Sequence, residues 1–300
     1  MTVSSKRSFG FSAVCTVIAL CQWVALLAIP QFLRPYWGAY LALMGGERSA
    51  NILGNFLVSS TVLLFNNLFY LALYRAQLPF FESFSINPWP WMSPKPEVVA
   101  HFTATVWKGT GLTVLNALLT LPLGWLSYSG AKHLGYSGAV DTFPSVFTMA
   151  WQLVVCMLVE DLLFYWGHRT LHHPSIYSQI HKVHHAFYYT VAVSATATHP
   201  VEYILSNVIP FVAGPTLLGS HCITIYAWIL LRVGETTVNH SGYSLPWSMY
   251  ELLPFQGSAE DHCLHHSAGG GVDRSGTFGS LFTFWDTVCG THLEKHEKKG

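Results

Sequence analysis

The sequence predicts an all-α polytopic membrane protein. About four membrane-spanning helices are expected, with a histidine-rich helical region able to hold two metal ions. Three observations carry that expectation. Apolar residues fill 51% of the 300 positions and charged residues only 10%, against roughly 25% charged in soluble domains. Four long stretches are almost free of charge. The 16 histidines outnumber the 15 lysines and arginines together. Aromatic residues at 15% exclude a disordered chain. Lys+Arg and Asp+Glu both number 15, so no basic excess is available to neutralise phosphates, and nucleic-acid binding is excluded.

The elements follow in order. Phe11 to Leu33 forms a first apolar run, long enough as a helix to reach about 33 Å and cross a bilayer. Lys6 and Arg7 precede it as in a signal peptide, but the run is long and no small-x-small cleavage site follows cleanly, so an uncleaved span is expected. Further spans are expected at Ile52–Tyr74, Gly109–Tyr128 and Ser145–Trp166. Between the second and third, the prolines of residues 78–97 forbid a regular helix. The Phe and Trp content there suits a segment at headgroup level, the alternative being an ordinary loop. Residues 167–199 are histidine-rich. The apolar stretches Val201–Leu218 and Cys222–Val233 are short and punctuated by Pro210, Gly214, Pro215 and Gly219. They read as a re-entrant hairpin, a tilted pair or two full spans. Residues 1–144 thus form a transmembrane part, 145–292 a metal-binding part, and 293–300 a charged, solvated tail. Lys6, Arg7, Arg75, Lys95, Arg169 and Lys182 fall on one side of these spans, against Arg34, Arg48 and Lys132 on the other, which puts the histidine clusters in the cytosol. The six cysteines form no CxxC and mostly sit in apolar stretches, as reduced, buried thiols do.

Three histidine clusters carry the chemistry. They are His168-Arg-Thr-Leu-His172-His173, His181-Lys-Val-His184-His185 and His262-Cys-Leu-His265-His266. Helical positions i, i+3 and i+4 share a face, so two imidazoles at that spacing can meet one ion and a third can reach a second ion nearby. A given HxxHH would arise by chance roughly 0.05 times in such a chain, and two occur here. Imidazole suits zinc, copper, iron and nickel. A structural zinc site needs four ligands, usually with cysteine. Eight or more histidines supply two ions, and a thiolate-free pair beside lipid fits oxygen-activating iron, with zinc able to replace it. Asp161, Tyr165, His168 and His172 step by 4, 3 and 4 along one helical stripe. Asp161 is a candidate to hold the second nitrogen of a ligand imidazole, or a simple helix-end charge. Glu235 and His240 in GETTVNHSGY, and His199 in ATHPVE, are candidates to complete the shells, and His173 is a further candidate ligand. His101, His133, His221 and His296 are isolated, and His292 lacks a partner. Cys263 sits inside the third cluster, but its i+1 position turns it away from the histidine face. The chain has no GxSxG, P-loop or GxGxxG; Gly269-Gly270-Gly271 runs into Val-Asp-Arg. It therefore carries no fingerprint for its own nicotinamide or flavin.

The ordered set EDLLFYWGHRTLHH, IHKVHH, THPVE, LLRVGETTVNHSGYSLPWS, LPFQGSAEDHCLHH and FTFWDTVCGTH resembles the fatty acid hydroxylase superfamily over residues 145–292. Within it, ETxxxHSGYxxPWS and the closing WDxxxGT are most similar to the 4-methylsterol oxidases. That resemblance implies a di-iron mono-oxygenase of the endoplasmic reticulum membrane with its active site facing the cytosol. It would use O2 and electrons from cytochrome b5 and its NAD(P)H reductase to oxidise a sterol 4α-methyl group stepwise to the carboxylate. The chain departs from the family pattern at Ala186, at Gly276-Thr277-Phe278 and in its tail. The alternatives are a sterol 25-hydroxylase, which shares HSGYxxPWS, a fatty acyl hydroxylase or desaturase, and a non-enzymatic histidine-rich metal carrier. A transporter would hold its histidines at mid-bilayer, whereas these follow helix ends. The His-Pro pairs at 173–174 and 199–200 lack the Gly-Gly of a haem signature, so electrons are expected from a partner. The sterol is expected to reach the metals between the fourth span and the 201–234 hairpin.

Overall fold

The computed structural model describes residues 9–268 and 275–293. Lys6, Arg7, Gly269–Gly271 and the charged tail beyond Leu293 lie outside the described residues. Helix α1 (Phe9–Leu33) continues through a 3₁₀ turn, Arg34–Tyr36, into α2 (Trp37–Met44). Gly45 and Gly46, at φ +79° and +109°, then reverse the chain, a conformation open to a residue without Cβ. A π-turn at Ala50–Gly54 leads into α3 (Asn55–Ala76). Gly54 is required there, because a Cβ would lie 1.7 Å from the Tyr226 hydroxyl. Helix α4 (Pro96–His133) begins well before the expected Gly109. Pro96 occupies its first turn, where the missing N–H would have had no helical partner. Helix α5 (Val146–Leu171) is capped by the Ser145 hydroxyl, which accepts from Thr148 N at 3.1 Å.

These four paths are long and apolar enough to cross a membrane. They present Val24, Phe65, Leu126 and Phe147 outward, as lipid-facing helices do. α5 is the most enclosed of the four. Lys132 Nζ lies 2.9 Å from Glu47 Oε2, and Trp37 Nε1 donates to Gly138 O at 2.7 Å. These contacts fix the α2–α3 turn and the α4–α5 loop at one end of the bundle. Ala76, Pro96 and Leu171 therefore lie at the other end, with the histidines.

The segment 200–240 runs the depth of the bundle twice. Pro200–Glu202 and a π-turn, Tyr203–Val208, lead into α6 (Ile209–Leu217). Gly219, at φ +55°, turns the chain into α7 (Cys222–His240). At that turn Cys222 N donates to Ser137 O at 2.9 Å, so the hairpin reaches the end opposite the histidines. Neither leg is among the four helices long and apolar enough to cross a membrane. The stretches read as short because α7 is sheathed by protein, with Ala227, Trp228 and Leu231 buried, and needs no lipid-like exterior. α6 lies hard against α5. A Cβ at Gly214 would meet Cys156 Cα at 2.7 Å.

Residues 78–97 pack their aromatic side chains partly into the protein. Phe84 and Trp89 are buried. Tyr243 Oη donates to Glu82 Oε1 at 2.6 Å and Trp89 Nε1 donates to Glu82 Oε2 at 2.8 Å. The segment forms an aromatic floor beneath Ser241–Leu245, with Tyr74 stacked on Tyr243. Helices α8 (Ala259–Ala268) and α9 (Phe284–Cys289) complete the chain. Among the described residues there is no strand, only isolated bridges such as Ser85–Tyr243. All six cysteines are free.

Candidate metal centre

Nine histidines converge at one end of the bundle in two groups. His168, His172, His181, His185 and His265 form the first; His184, His240, His262 and His266 form the second. All nine are buried. Within each group the ligand atoms lie within 4.8 Å of one another. The groups adjoin, with the rings of His185 and His266 4.7 Å apart.

α-Helical spacing accounts for the division on α5 and α8. α5 sends His168 and His172, at i and i+4, to the first group. The 3₁₀ segment His181–Ala186 sends His181 and His185 to the first and His184 to the second. α8 does the reverse, sending His262 and His266 to the second and His265 to the first. Each HxxHH thus bridges both groups, its i,i+4 pair facing one and its i+3 member the other. His240, at the end of α7, completes the second group.

The nitrogens are arranged for cations. His168 Nδ1 donates to Phe278 O at 2.8 Å, His265 Nδ1 to Gly276 O at 2.7 Å and His240 Nδ1 to Thr236 O at 2.7 Å. His181 Nδ1 faces Glu202 Oε1 at 2.9 Å. A carbonyl or carboxylate at Nδ1 fixes the proton there and leaves an Nε2 lone pair. Those Nε2 atoms face one another: His168–His181 at 3.1 Å, His172–His265 at 3.3 Å, His265–His185 at 3.2 Å, His240–His262 at 2.8 Å and His240–His184 at 3.4 Å. Lone pairs so placed repel unless a cation lies between them. Two nitrogens about 2.1 Å from one ion and at right angles about it stand about 3.0 Å apart, close to the spacing observed. The residues therefore fit two metal ions. Burial, reinforced by neighbouring imidazoles, pushes His181, His184, His185, His262 and His266 well below the ordinary imidazole pKa, and lowers His172 and His265 in the same direction. Neutral imidazole is the form that binds metal.

Four candidates from the sequence lie outside both groups. His173 is exposed; its Nδ1 caps Pro174–Tyr177, accepting from Ser175 N at 3.4 Å. His199 caps Pro200–Glu202, accepting from Val201 N at 3.2 Å. Both precede proline, and that turn directs the ring back to its own backbone. Asp161 accepts from Phe282 N at 3.1 Å rather than holding an imidazole; it is on the expected stripe but about 10 Å up the axis from His168. Glu235 pairs with Arg232 and accepts from Asn239 Nδ2 at 2.6 Å, and it points around the far side of α7 from His240. The thiol of Cys263 is turned away to Thr190, 2.9 Å distant.

Sequence reasoning missed Glu202 and the carbonyls of Thr236, Gly276 and Phe278. Glu202 had a signal: a carboxylate inside PVEYILS, beside apolar sequence, is a functional candidate by default. The carbonyls had none, since any residue carries one. Beside the second group a cavity of about 20 Å³ is lined by Phe164, Thr198, Glu202, Ser206, Asn207 and Thr236, room for about one water-sized molecule. On the other side an open depression of about 440 Å³, lined by Trp166, Arg169, His173 and Ile176 among others, reaches His172.

A sequence-family model described as fatty acid hydroxylase matches residues 153–291. A very-long-chain aldehyde decarbonylase of Oryza sativa is 36% identical over 63% of this chain and 69% of its own. A methylsterol monooxygenase of Arabidopsis thaliana is 35% identical over 61% and 67%. A C-4 methylsterol oxidase of Schizosaccharomyces pombe is 33% identical over 74% and 71%. No solved structure matches the chain.

Proposed function

Because the chain belongs to the fatty acid hydroxylase family, we propose that it is a membrane di-iron mono-oxygenase oxidising the 4α-methyl group of a sterol precursor. One observation carries the reading: two adjoining groups of buried imidazoles whose Nε2 atoms converge. His168, His172, His181, His185 and His265 would hold one ion, and His184, His240, His262 and His266 the other. Iron bound there supplies reductive activation of O2; zinc can occupy the same nitrogens in preparations. The chain's own groups do the rest. The carbonyls of Thr236, Gly276 and Phe278 hold three ligand rings in one tautomer, and the Glu202 carboxylate stands 2.9 Å from His181 Nδ1. Thr198, Ser206, Asn207 and Phe164 line a cavity of about 20 Å³ beside the histidines. A sterol methyl group reaches it from lipid between α5 and the π-turn, displacing the half-buried Phe164 and Asn207.

Hydroxylation takes one oxygen atom of O2 into the C–H bond and reduces the other to water, consuming two electrons and two protons. With no nucleotide fingerprint in the chain, electrons come from cytochrome b5 and its NAD(P)H reductase, docked over the depression beside His172. This sets the protein in the endoplasmic reticulum membrane with the histidine end in the cytosol. Residues 145–292 form the catalytic part and residues 1–144 its transmembrane support.

The test is mass spectrometry of products from a 4,4-dimethyl sterol under ¹⁸O₂, with cytochrome b5 and its reductase added. Label in a 4-hydroxymethyl or 4-carboxy sterol is expected, with no turnover on NADH alone. A new double bond without label would reassign the chain to desaturation. Chain-shortened hydrocarbon from a fatty aldehyde would reassign it to the chemistry named for its rice relative.

A further inference from the structure

The WDxxxGT segment closes the chain far in sequence from the histidines, yet its aspartate bears on two of them. Asp286 is fully buried at the start of α9. Its Oδ1 accepts from Phe278 N at 2.8 Å and from the Thr291 hydroxyl at 2.7 Å; its Oδ2 accepts from Gly279 N at 2.7 Å. Gly279 N and Phe278 O are the two ends of one peptide group, and Phe278 O accepts from His168 Nδ1. The neighbouring turn repeats the pattern. Thr277 N donates to Thr291 O at 2.7 Å, and the carbonyl of that same peptide group, Gly276 O, accepts from His265 Nδ1. Thr277 takes φ +55°, a left-handed conformation unusual for a β-branched residue, held by Leu293 N donating to its hydroxyl at 2.9 Å. Gly279 leaves no room for a side chain, since a Cβ would lie 2.2 Å from Phe282 O.

We infer that Asp286 is a positioning residue for the five-histidine group, acting on His168 through the Phe278–Gly279 peptide and on His265 through the turn that Thr291 pins. A carboxylate on the N–H end of a peptide group polarises its carbonyl end. A stronger acceptor at Nδ1 makes the ring a better ligand and locks its orientation, as a directly bonded carboxylate would. His181 Nδ1 has the Glu202 carboxylate 2.9 Å away. His168 and His265 reach theirs through the backbone. The second group has no such link to Asp286; His240 Nδ1 donates to Thr236 O on α7 itself.

This inference rests on the two-ion reading above, and the test separates them. Full-length protein in detergent is stripped of metal and titrated with Co²⁺, followed by visible spectroscopy. Wild-type protein is expected to bind two ions; fewer than two would overturn the metal reading itself. Asp286→Asn keeps the shape but turns an amide N–H₂ toward one of its donors. It is expected to weaken one binding step by roughly 10–100-fold, to shift the visible bands of that step, and to leave the other unchanged. Asp286→Ala is expected to do the same more strongly. A retained tight step in either variant also reports an intact fold. Both steps unchanged, or both weakened equally or lost, would overturn the inference.

Discussion

Acidification should release the metals with a proton count set by the two groups. Burial lowers His172, His181, His184, His185, His262, His265 and His266 below 6.5 in the native state. Between that value and the lowered native pKa the unfolded chain therefore binds more protons than the native one, and stability falls with pH. The contribution is fully present above the unfolded value near 6.5 and is lost as pH drops from there toward the lowered native pKa. At pH 5.5 holding one such ring neutral costs ~1.4 kcal/mol. For all seven the cost is ~10 kcal/mol, comparable to the ~5–15 kcal/mol that holds a whole domain together. Bound metal moves the midpoint to lower pH by its own affinity, but it does not change the number of rings that must protonate. The assay is metal retained against pH, in detergent with chelator present, alongside tryptophan fluorescence. The steepness should correspond to about four to five protons for one ion and about four for the other, matching the five and four histidines. Release with one or two protons per ion, or retention in strong acid with chelator, would refute the all-imidazole shells.

Other outcomes follow from the same geometry. His184→Ala and His265→Ala should each empty one group of its ion, measured by metal analysis. The same change at His101 or His133, both exposed, should leave two ions bound. His173→Ala and His199→Ala should also keep both ions and cost only a helix cap, about 1 kcal/mol, seen as a small drop in unfolding temperature; loss of metal in either would return it to the shells. Glu202→Gln should weaken the five-histidine group roughly 10–100-fold, read by metal titration, and an unchanged isotherm would remove Glu202 from the centre. Gly214→Ala must push α6 from the Cys156 backbone and should destabilise by about 1–3 kcal/mol, checked by thermal unfolding in detergent.

The nine converging histidines were legible before any coordinates, and so were the four long spans. Both are local properties. Hydrophobic length decides what can cross a bilayer, and a spacing of three and four decides which side chains share a face of their own helix. Neither says what stands opposite that face. That an HxxHH could serve two ions was readable from its spacing; which member joined which group followed only when the 181–186 turn and α8 met, with α5 and α7 supplying the remainder. Asp161 and Glu235 matched by offset, but rise and rotation along their helices carry them to other partners. His173 and His199 matched by neighbourhood, but a following proline turned each into a cap. The second leg of the hairpin, α7, reads as short because protein surrounds much of it, with Ala227, Trp228 and Leu231 buried. Sequence alone thus determined the membrane class, the helical spans and the identity of the metal-competent histidines. Tertiary structure decided their partition, and it decided the groups that orient them: Glu202 and the carbonyls of Thr236, Gly276 and Phe278. A backbone carbonyl has no residue signature, and only the folded chain brings one to an imidazole.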